Sequence, residues 1–195
     1  MKTDKKAKLV SAAIEVFTEK GLEQTKIADI VKIAEVAQGT YYLYFPSKLA
    51  IMPAIAEVVV QQILTNLKNT LNSSLSYPQQ LQQVIDVSFA ITKEYSEVIA
   101  LTYAGLASSE YLTEWETIYE PYYLYMAEFL QAGITAGEMS RGMNSKVAAK
   151  ILIGLIEAGA EQLYLYTKAD EDMIKEQKAE VLTFSLRALG MKTID

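Results

Sequence analysis

The chain has 195 residues, of which 51% are hydrophobic and 22% charged, a composition that excludes disordered, collagen-like and low-complexity proteins. It contains no cysteine and no histidine, which excludes disulfides, thiolate and imidazole metal sites, and Ser-His-Asp or Cys-His catalysis. Its charge is uneven, because residues 1–48 carry a net charge of +2 within a chain of net charge −6. The N-terminal segment, here called the head, is thus mildly basic and the rest of the chain, the body, is acidic. This distribution is expected if only the head contacts nucleic-acid phosphate, although an ordinary solvated surface gives the same pattern.

The first residues are charged and lead directly into an amphipathic pattern, so no export signal is expected. Apolar runs such as residues 151–156 are far shorter than the ~20 residues that cross a bilayer. The sequence shows no Gly-rich phosphate loop, no paired-carboxylate metal motif and no nucleophile signature. We therefore predict a cytoplasmic protein with no membrane partner, no metal, no cofactor and no catalytic residues.

Three short helices are predicted near the N-terminus. Apolar residues recur at helical spacing over residues 5–20, and Gly21 is expected to end this first helix as a C-cap. Thr25 is a suitable N-cap for a second helix, whose apolar residues repeat up to Ala34. A third helix follows a tight turn and stops at Pro46, because the proline ring removes a donor and disfavours helical geometry in the residue before it.

The third helix has an inner and an outer face. Tyr41 aligns with Phe45 and is expected in the core, whereas Tyr42 lies about 100° away around the helix. The outer face offers Gln38, Gly39, Thr40, Tyr42 and Tyr44. Glutamine can bind adenine bidentately, threonine and tyrosine hydroxyls can meet phosphate, and glycine lets the backbone approach closely. Two short helices joined by a tight turn match a helix-turn-helix, whose second helix enters the major groove of DNA, although small three-helix packings without DNA binding share this pattern.

The run from Gln38 to Lys48 closely resembles the signature of the TetR family of transcriptional regulators. Four upstream residues fit the first two helices of that family: Phe17, Gly21, Thr25 and Ile30. The resemblance implies an all-α protein with a helix-turn-helix DNA-binding domain over residues 1–46 and an effector-binding and dimerisation domain over residues 47–195. The sequence departs from the family at Glu35, where the turn usually has glycine, and at Tyr41, where the core residue is usually aliphatic.

The resemblance also implies which residues contact double-stranded operator DNA. Thr25 and Lys26 would meet phosphate at the start of the second helix, and Lys48 would hold phosphate at the start of the fourth, where helix N-termini and lysines favour anions. The expected operator contacts are Thr25, Lys26, Gln38, Gly39, Thr40, Tyr42, Tyr44 and Lys48.

Ser47 is expected to cap a longer fourth helix that ends near residue 71. Pro53 would lie inside this helix and suggests a kink or hinge; alternatively, Pro53 sits at the true helix start, after a 3₁₀ turn from Ser47. Further helices are predicted over residues 78–95, 97–107, 110–131, 145–166 and 171–189, with breaks at Gly133, Gly137 and residues 141–142. No segment alternates in polarity between hairpin turns, so no sheet is expected.

The middle of the body is rich in aromatic residues and glutamates. An apolar cavity with a few polar tips suits a small molecule, and because the family binds effectors there, we expect a pocket for a small hydrophobic effector, although a plain aromatic core is the alternative. The expected lining is Phe89, Tyr103, Tyr111, Trp115, Tyr119, Tyr122, Tyr123 and Phe129. The glutamates and the scarcity of arginine favour a neutral or cationic lipophile over a phosphate-rich acyl-coenzyme A.

The last two predicted helices carry apolar stripes, and Gly154 and Gly159 would allow close helix approach. The resemblance implies a homodimer, because the family dimerises through a four-helix bundle formed by its last two helices. The expected interface is Ile151, Leu155, Ala158, Gly159, Val181, Leu182, Ser185 and Leu189. Alternatively, both stripes face the core of their own subunit.

These features together predict a DNA-binding transcriptional regulator, specifically a repressor that a small lipophilic effector releases from its operator. Release would require the effector to favour a conformer whose heads no longer fit the operator. The alternative function is a helical ligand-binding or adaptor protein that does not bind DNA.

Overall fold

The computed structural model describes residues 2–107, 114–167 and 169–191, in which every regular element is a helix. The all-α prediction is therefore confirmed for these residues. The α-helices are α1 (Lys2–Gln24), α2 (Ile27–Ile33), α3 (Gln38–Tyr42), α4 (Met52–Thr70), α5 (Tyr77–Glu94), α6 (Ser96–Ala107), α7 (Trp115–Ala136), α8 (Ser145–Tyr164) and α9 (Glu171–Leu189).

The described residues form two compact units. The first comprises those of Met1–Val59 and Glu97–Ile118, and the second comprises those of Val60–Ser96 and Tyr119–Asp195. The head predicted over residues 1–46 falls within the first unit. In that unit α1 packs on α2 and α2 packs on α3. The core of the head consists mainly of Leu9, Val16, Phe17, Ile30 and Tyr41.

The connection between α1 and α2 depends on a glycine and a buried threonine. Gly21 has a φ of 76° and breaks the helical backbone of α1, in agreement with its predicted role as a helix end. The N-cap prediction for Thr25 is wrong, because Lys26 holds the N-cap position of α2. Thr25 is only 2% exposed, and its hydroxyl donates a hydrogen bond to the Gly21 carbonyl oxygen at 2.7 Å. A short hydroxyl side chain can thus close the preceding turn instead of capping the next helix.

The start of α4 decides between the two interpretations of Pro53. A 3₁₀ turn over Leu49–Ile51 precedes α4, which begins at Met52, so Pro53 lies in the first turn. The alternative is confirmed and the predicted mid-helix kink is wrong, because the missing N–H of a first-turn proline costs no hydrogen bond. The stretch Leu49–Thr70 is long and apolar enough to cross a membrane, yet 61% of its most apolar window is buried inside the protein, as in a core helix.

Helix α7 shows that one predicted break is wrong. It continues through Gly133 to Ala136 and ends before Gly137, whose φ is 78°. Gly133 is buried, and the side chain of Met139 occupies the space that a Cβ at Gly133 would need. This glycine therefore serves close packing rather than helix termination. The predicted helix start near residue 110 lies outside the described residues.

In the second unit, α5 packs against α8 and α9, which also pack against each other. A Cβ on Gly159 would lie 2.8 Å from the Val181 Cγ2 atom and 3.7 Å from the Phe89 Cζ atom, so the three helices meet where only hydrogen fits. The close approach predicted at Gly159 therefore occurs within one protomer. Gly154 is exposed, and apart from its chain neighbours and the backbone of its own helix no atom in the described part of the chain lies within 4 Å of the position that a Cβ would take there.

Candidate DNA-binding and effector-binding sites

The turn between α2 and α3 is a Schellman motif with an unusual residue. The Val36 N–H donates to the Val31 carbonyl oxygen at 3.1 Å, and the Glu35 N–H donates to the Lys32 carbonyl oxygen at 3.4 Å. Glu35 adopts a φ of 54°, the left-handed conformation that glycine adopts without strain. The departure noted at Glu35 therefore lies at the position where the backbone requires positive φ.

Replacing Glu35 by glycine is expected to raise the free energy of unfolding by about 1 kcal/mol, because it removes the Cβ that strains the left-handed conformation. Thermal unfolding monitored by circular dichroism measures the change. The Glu35→Ala variant is the matched control, since it removes the same charge and keeps the Cβ. Equal stabilisation by both variants would show that charge, and not backbone strain, is responsible.

The inner face of helix α3 packs into the core of the head through Tyr41. Tyr41 is fully buried and its ring centroid lies 5.5 Å from that of Phe45, so the core position predicted for Tyr41 is confirmed. The Tyr41 hydroxyl donates to the carbonyl oxygens of Ser47 at 3.2 Å and Lys48 at 3.3 Å. Burial raises the pKa of Tyr41 well above its ordinary value, so the hydroxyl stays protonated and remains a donor.

The outer face of α3 presents most of the residues predicted to read DNA. Gln38 and Gly39 are exposed, Tyr42 is 50% exposed, and Thr40 and Tyr44 are partly exposed. Sequence reasoning missed Leu43, which is 81% exposed at the C-cap of α3. The sequence contained a signal for this exposure. Tyr41 takes the inward direction, and Leu43, two residues later, lies about 200° away around a helix and so on the outer side. A large apolar side chain this exposed is available to contact a thymine methyl group.

Two further predicted contacts, Thr25 and Lys26, lie around the start of α2. Lys26 is exposed, and its backbone N–H donates to the Asp29 carboxylate at 2.9 Å. Lys20 donates to the other carboxylate oxygen of Asp29 at 3.0 Å. The Lys26 N–H and Lys20 lower the pKa of Asp29, despite the opposing effect of desolvation. Thr25 has no exposed hydroxyl, as described above, whereas the Lys26 ammonium extends from an exposed position.

Lys48 lies at the start of the 3₁₀ turn but reaches back to the first connection. Its Nζ donates to the carbonyl oxygens of Leu22 at 2.6 Å, Thr25 at 3.0 Å and Glu23 at 3.4 Å. The structure thus places Lys48 beside the end of α1, an arrangement that no local sequence pattern indicates.

The residues predicted to line an effector pocket are distributed over both units. Tyr103 and Trp115 belong to the first unit, where their ring centroids lie 5.7 Å apart. In the second unit, the Tyr119 ring centroid lies 6.4 Å from that of Tyr122 and 5.6 Å from that of Tyr123. Phe89 pairs with Tyr164 at 6.3 Å and Phe129 with Tyr77 at 5.8 Å. Tyr111 lies outside the described residues.

A partly buried glutamate, Glu157, is part of this aromatic region of the second unit. Burial raises the pKa of Glu157 on α8 to about 8, with a further rise from the charge of Glu161 and an opposing hydrogen bond from Tyr119. Tyr122 is fully buried, and its hydroxyl lies 3.3 Å from the Ser88 hydroxyl. Glu157 was missed, although it shares a helix face with the buried apolar residues Ile153 and Ala160, which is a recognisable signal.

The raised pKa of Glu157 predicts a loss of stability as the pH rises. The folded protein binds this proton more tightly than the unfolded chain, whose carboxyl has an ordinary pKa near 4.5, so stability falls from about pH 4.5 through pH 8. Glu157→Gln is expected to remove this fall and to raise the unfolding temperature at pH 8 but not at pH 5. Because the chain has no histidine, few other groups titrate between pH 6 and 8.

Thermal unfolding of wild type, Glu157→Gln and Glu128→Gln between pH 5 and pH 8 measures this effect. Glu128 is exposed, so its variant serves as the control and should follow the wild-type curve. Parallel curves for wild type and Glu157→Gln would contradict the raised pKa.

Helices α8 and α9 expose an apolar groove. Val147 is 54%, Ile151 68% and Phe184 63% exposed, and Leu155 also lines the groove. Among the predicted dimer residues, Ala158 is exposed and Leu182 partly exposed. The others are buried in their own protomer: Gly159, Val181, Ser185 and Leu189. Ser185 and Leu189 nevertheless line the groove, whereas Gly159 and Val181 pack against each other inside the protomer, because a helical stripe wider than one face includes residues that pack inward.

The comparisons with known proteins agree with this architecture. Residues 9–55 match the family described as bacterial regulatory proteins of the tetR family, and residues 81–189 match the tetracyclin repressor-like C-terminal domain. The chain is also 42% identical to the HTH-type transcriptional regulator YvdT of Bacillus subtilis over 94% of both chains. It belongs to the TetR family. As a TetR-family protein it is a DNA-binding transcriptional regulator and not an enzyme, so those two predictions are confirmed.

More distant relatives of this TetR-family regulator include proteins of lipid metabolism. The fatty acid metabolism regulator protein of Bacillus subtilis is 27% identical over 80% of this chain and 81% of its own length. Two solved structures share the fold. The fatty acid degradation regulator FadR of Bacillus halodurans has a TM-score of 0.72 at 18% identity, covering 90% of this chain and 97% of its own. FadR of Bacillus subtilis in complex with stearoyl-CoA has a TM-score of 0.67 at 23% identity, covering 94% and 95%.

Proposed function

We propose that this regulator is a cytoplasmic homodimeric repressor that binds operator DNA through α3 and leaves it when a small lipophilic effector binds the second unit. The observation that carries the proposal is the division of α3 into a buried face held by Tyr41 and an outer face of Gln38, Thr40 and Tyr42. This outer face contains amide and hydroxyl groups and no charged residue. Such a face is better suited to contact with base edges than to exposure to solvent alone.

The proposed operator contacts divide into two kinds. Gln38 is the candidate for bidentate binding to adenine, and Leu43 for contact with a thymine methyl group. Lys26, Thr40 and the hydroxyls of Tyr42 and Tyr44 are the candidates for phosphate contacts, which hold the head in register. Thr25 is left out of this set, because its hydroxyl is buried and donates to the backbone of Gly21.

The proposed dimer forms through the groove of α8 and α9. Each head reads one half-site, and two half-sites about 34 Å apart require two heads in one molecule. Val147, Ile151 and Phe184 supply the exposed apolar surface that a second copy of the chain would cover. A twofold axis brings the same groove of each copy together, so an apolar patch pairs with its own counterpart.

For the effector, the residues of the chain favour a neutral or cationic lipophile. The ring of Tyr119 suits an apolar body that carries a positive charge, and a cation beside Glu157 would favour the ionised form of its carboxyl. Acyl-coenzyme A is the second candidate, because the similar FadR of Bacillus subtilis has a structure with stearoyl-CoA. Titration calorimetry with a hydrophobic quaternary ammonium compound and with stearoyl-CoA separates the two. Tight binding of stearoyl-CoA without binding of the cation would establish the second class.

Binding to the promoter of the chain's own gene tests the DNA-binding function. We expect nanomolar binding of a duplex by the folded dimer, with an affinity that falls steeply as the salt concentration rises. Addition of the effector should reverse binding if the protein is a repressor of this type. A folded dimer that binds no duplex would favour the helical adaptor.

A further inference from the structure

The ammonium group of Lys48 is fully engaged by the backbone. Its three N–H donors face three carbonyl oxygens, those of Leu22 at 2.6 Å, Thr25 at 3.0 Å and Glu23 at 3.4 Å. All three acceptors belong to the end of α1 and to the connection that leads into α2. These carbonyl oxygens lie past the break at Gly21, and a positive charge is favourable beside carbonyl groups left over at the end of a helix.

The backbone of Lys48 is in turn bound to α3. The Tyr41 hydroxyl donates to the carbonyl oxygens of Ser47 and Lys48, and Tyr41 is the buried residue opposite the outer face of α3. Residues 47–48 therefore bridge two parts of the head: their carbonyl groups hold α3, and the Lys48 side chain holds the α1–α2 connection. Thr25 closes the same connection through its bond to Gly21.

We propose that Lys48 is a positioning residue, which fixes the α1–α2 connection relative to α3, and that it makes no contact with operator phosphate. The inference rests on the proposed function, in which α3 reads the operator. It replaces the phosphate contact that the family resemblance implies for Lys48, because an ammonium that contacted phosphate would have to release the three carbonyl groups.

The substitution Lys48→Arg distinguishes a positioning role of Lys48 from a phosphate-binding role. Three convergent carbonyl groups suit the compact ammonium of lysine, whereas the planar guanidinium of arginine directs its donors in a fork. A phosphate accepts either side chain and binds arginine at least as well. A positioning role therefore predicts that Lys48→Arg fails to replace lysine, and a phosphate role predicts that it succeeds.

Operator binding by Lys48→Arg, Lys48→Met and the control Lys26→Met, each as the full chain, is measured from about 50 to about 300 mM salt. We expect both Lys48 variants to bind about tenfold more weakly than wild type at every salt concentration, with an unchanged slope of log Kd against log salt. Lys26→Met should reduce that slope by about 1.8, because each of the two half-sites then has one neutralised phosphate fewer. Wild-type affinity in Lys48→Arg, or a reduced slope in Lys48→Met, would overturn the proposal.

Amide hydrogen exchange measured without DNA tests the positioning role of Lys48 independently of the proposed DNA binding. Exchange at residues 22–29 should be about tenfold faster in Lys48→Met than in wild type and unchanged in Lys26→Met. Wild-type exchange in Lys48→Met would reject the positioning role. Failure of the wild-type dimer to bind any duplex would reject the proposed function instead, and the exchange rates would still decide the role of Lys48.

Discussion

Replacing Phe184 by glutamate is expected to leave the chain monomeric and to weaken operator binding about 100-fold or more. Phe184 is 63% exposed in the groove of α8 and α9, so the substitution leaves the fold of the protomer intact. In the dimer the carboxylate would be buried against apolar groups and its own twofold copy, which costs several kcal/mol. A monomer binds only one half-site and forgoes the gain from linked binding.

Light scattering after size-exclusion chromatography gives the oligomeric state, and fluorescence anisotropy gives the operator affinity. The matched control is Leu124→Glu, because Leu124 is 48% exposed on α7 and lies outside the groove. That variant should remain dimeric and keep wild-type affinity. A dimeric Phe184→Glu would mean that the subunits associate through another surface.

Replacing Gln38 by alanine is expected to weaken binding to the operator about 30-fold or more. Each bidentate contact to a base contributes about 1–3 kcal/mol of discrimination, and a dimer makes the contact in both half-sites. Gln38 is exposed, so the substitution should not alter the unfolding temperature. For an operator in which the contacted adenine is replaced, the substitution should hardly change the affinity, because that duplex offers the glutamine no bidentate partner.

Anisotropy titrations with the two duplexes measure both affinities. Gln61→Ala, at an exposed position of α4 in the second unit, is the control and should bind like wild type. If Gln38→Ala lowers affinity equally for every duplex, Gln38 contacts the backbone and does not read a base.

Periodicity was sufficient to predict the helices and the inward direction of Tyr41, because the core side of a short helix follows from its repeat alone. It was not sufficient for Thr25 and Gly133. A threonine between two helices can cap the second helix or bind back to the first, and a glycine in a helix can end it or admit a neighbour. Which occurs depends on packing: Thr25 binds Gly21, and Met139 occupies the space beside Gly133.

Two residues of the candidate sites depend on contacts that no local pattern contains. Lys48 binds the carbonyl group of Leu22, 26 residues earlier in the chain. The pKa of Glu157 is raised mainly by the burial that helix packing produces, and the opposing hydrogen bond comes from Tyr119, which belongs to a different helix. The apolar stripes of α8 and α9 likewise did not show which of their residues are exposed and which are buried. Apolar repeats of the same kind contain the exposed Ile151 on α8 and the buried Val181 on α9, and only the packing between helices distinguishes the exposed residue from the buried one.

The ring contact between Tyr103 and Trp115 has a practical consequence for the study of induction. Trp115 is the one tryptophan in the chain, so all indole fluorescence originates at this contact in the first unit. Trp115 and Tyr119, one of the proposed effector groups, both lie on α7, so a change of emission colour or lifetime during an effector titration would report effector binding near this helix. The protein therefore carries an optical reporter in the unit that contains α3, with no label to attach.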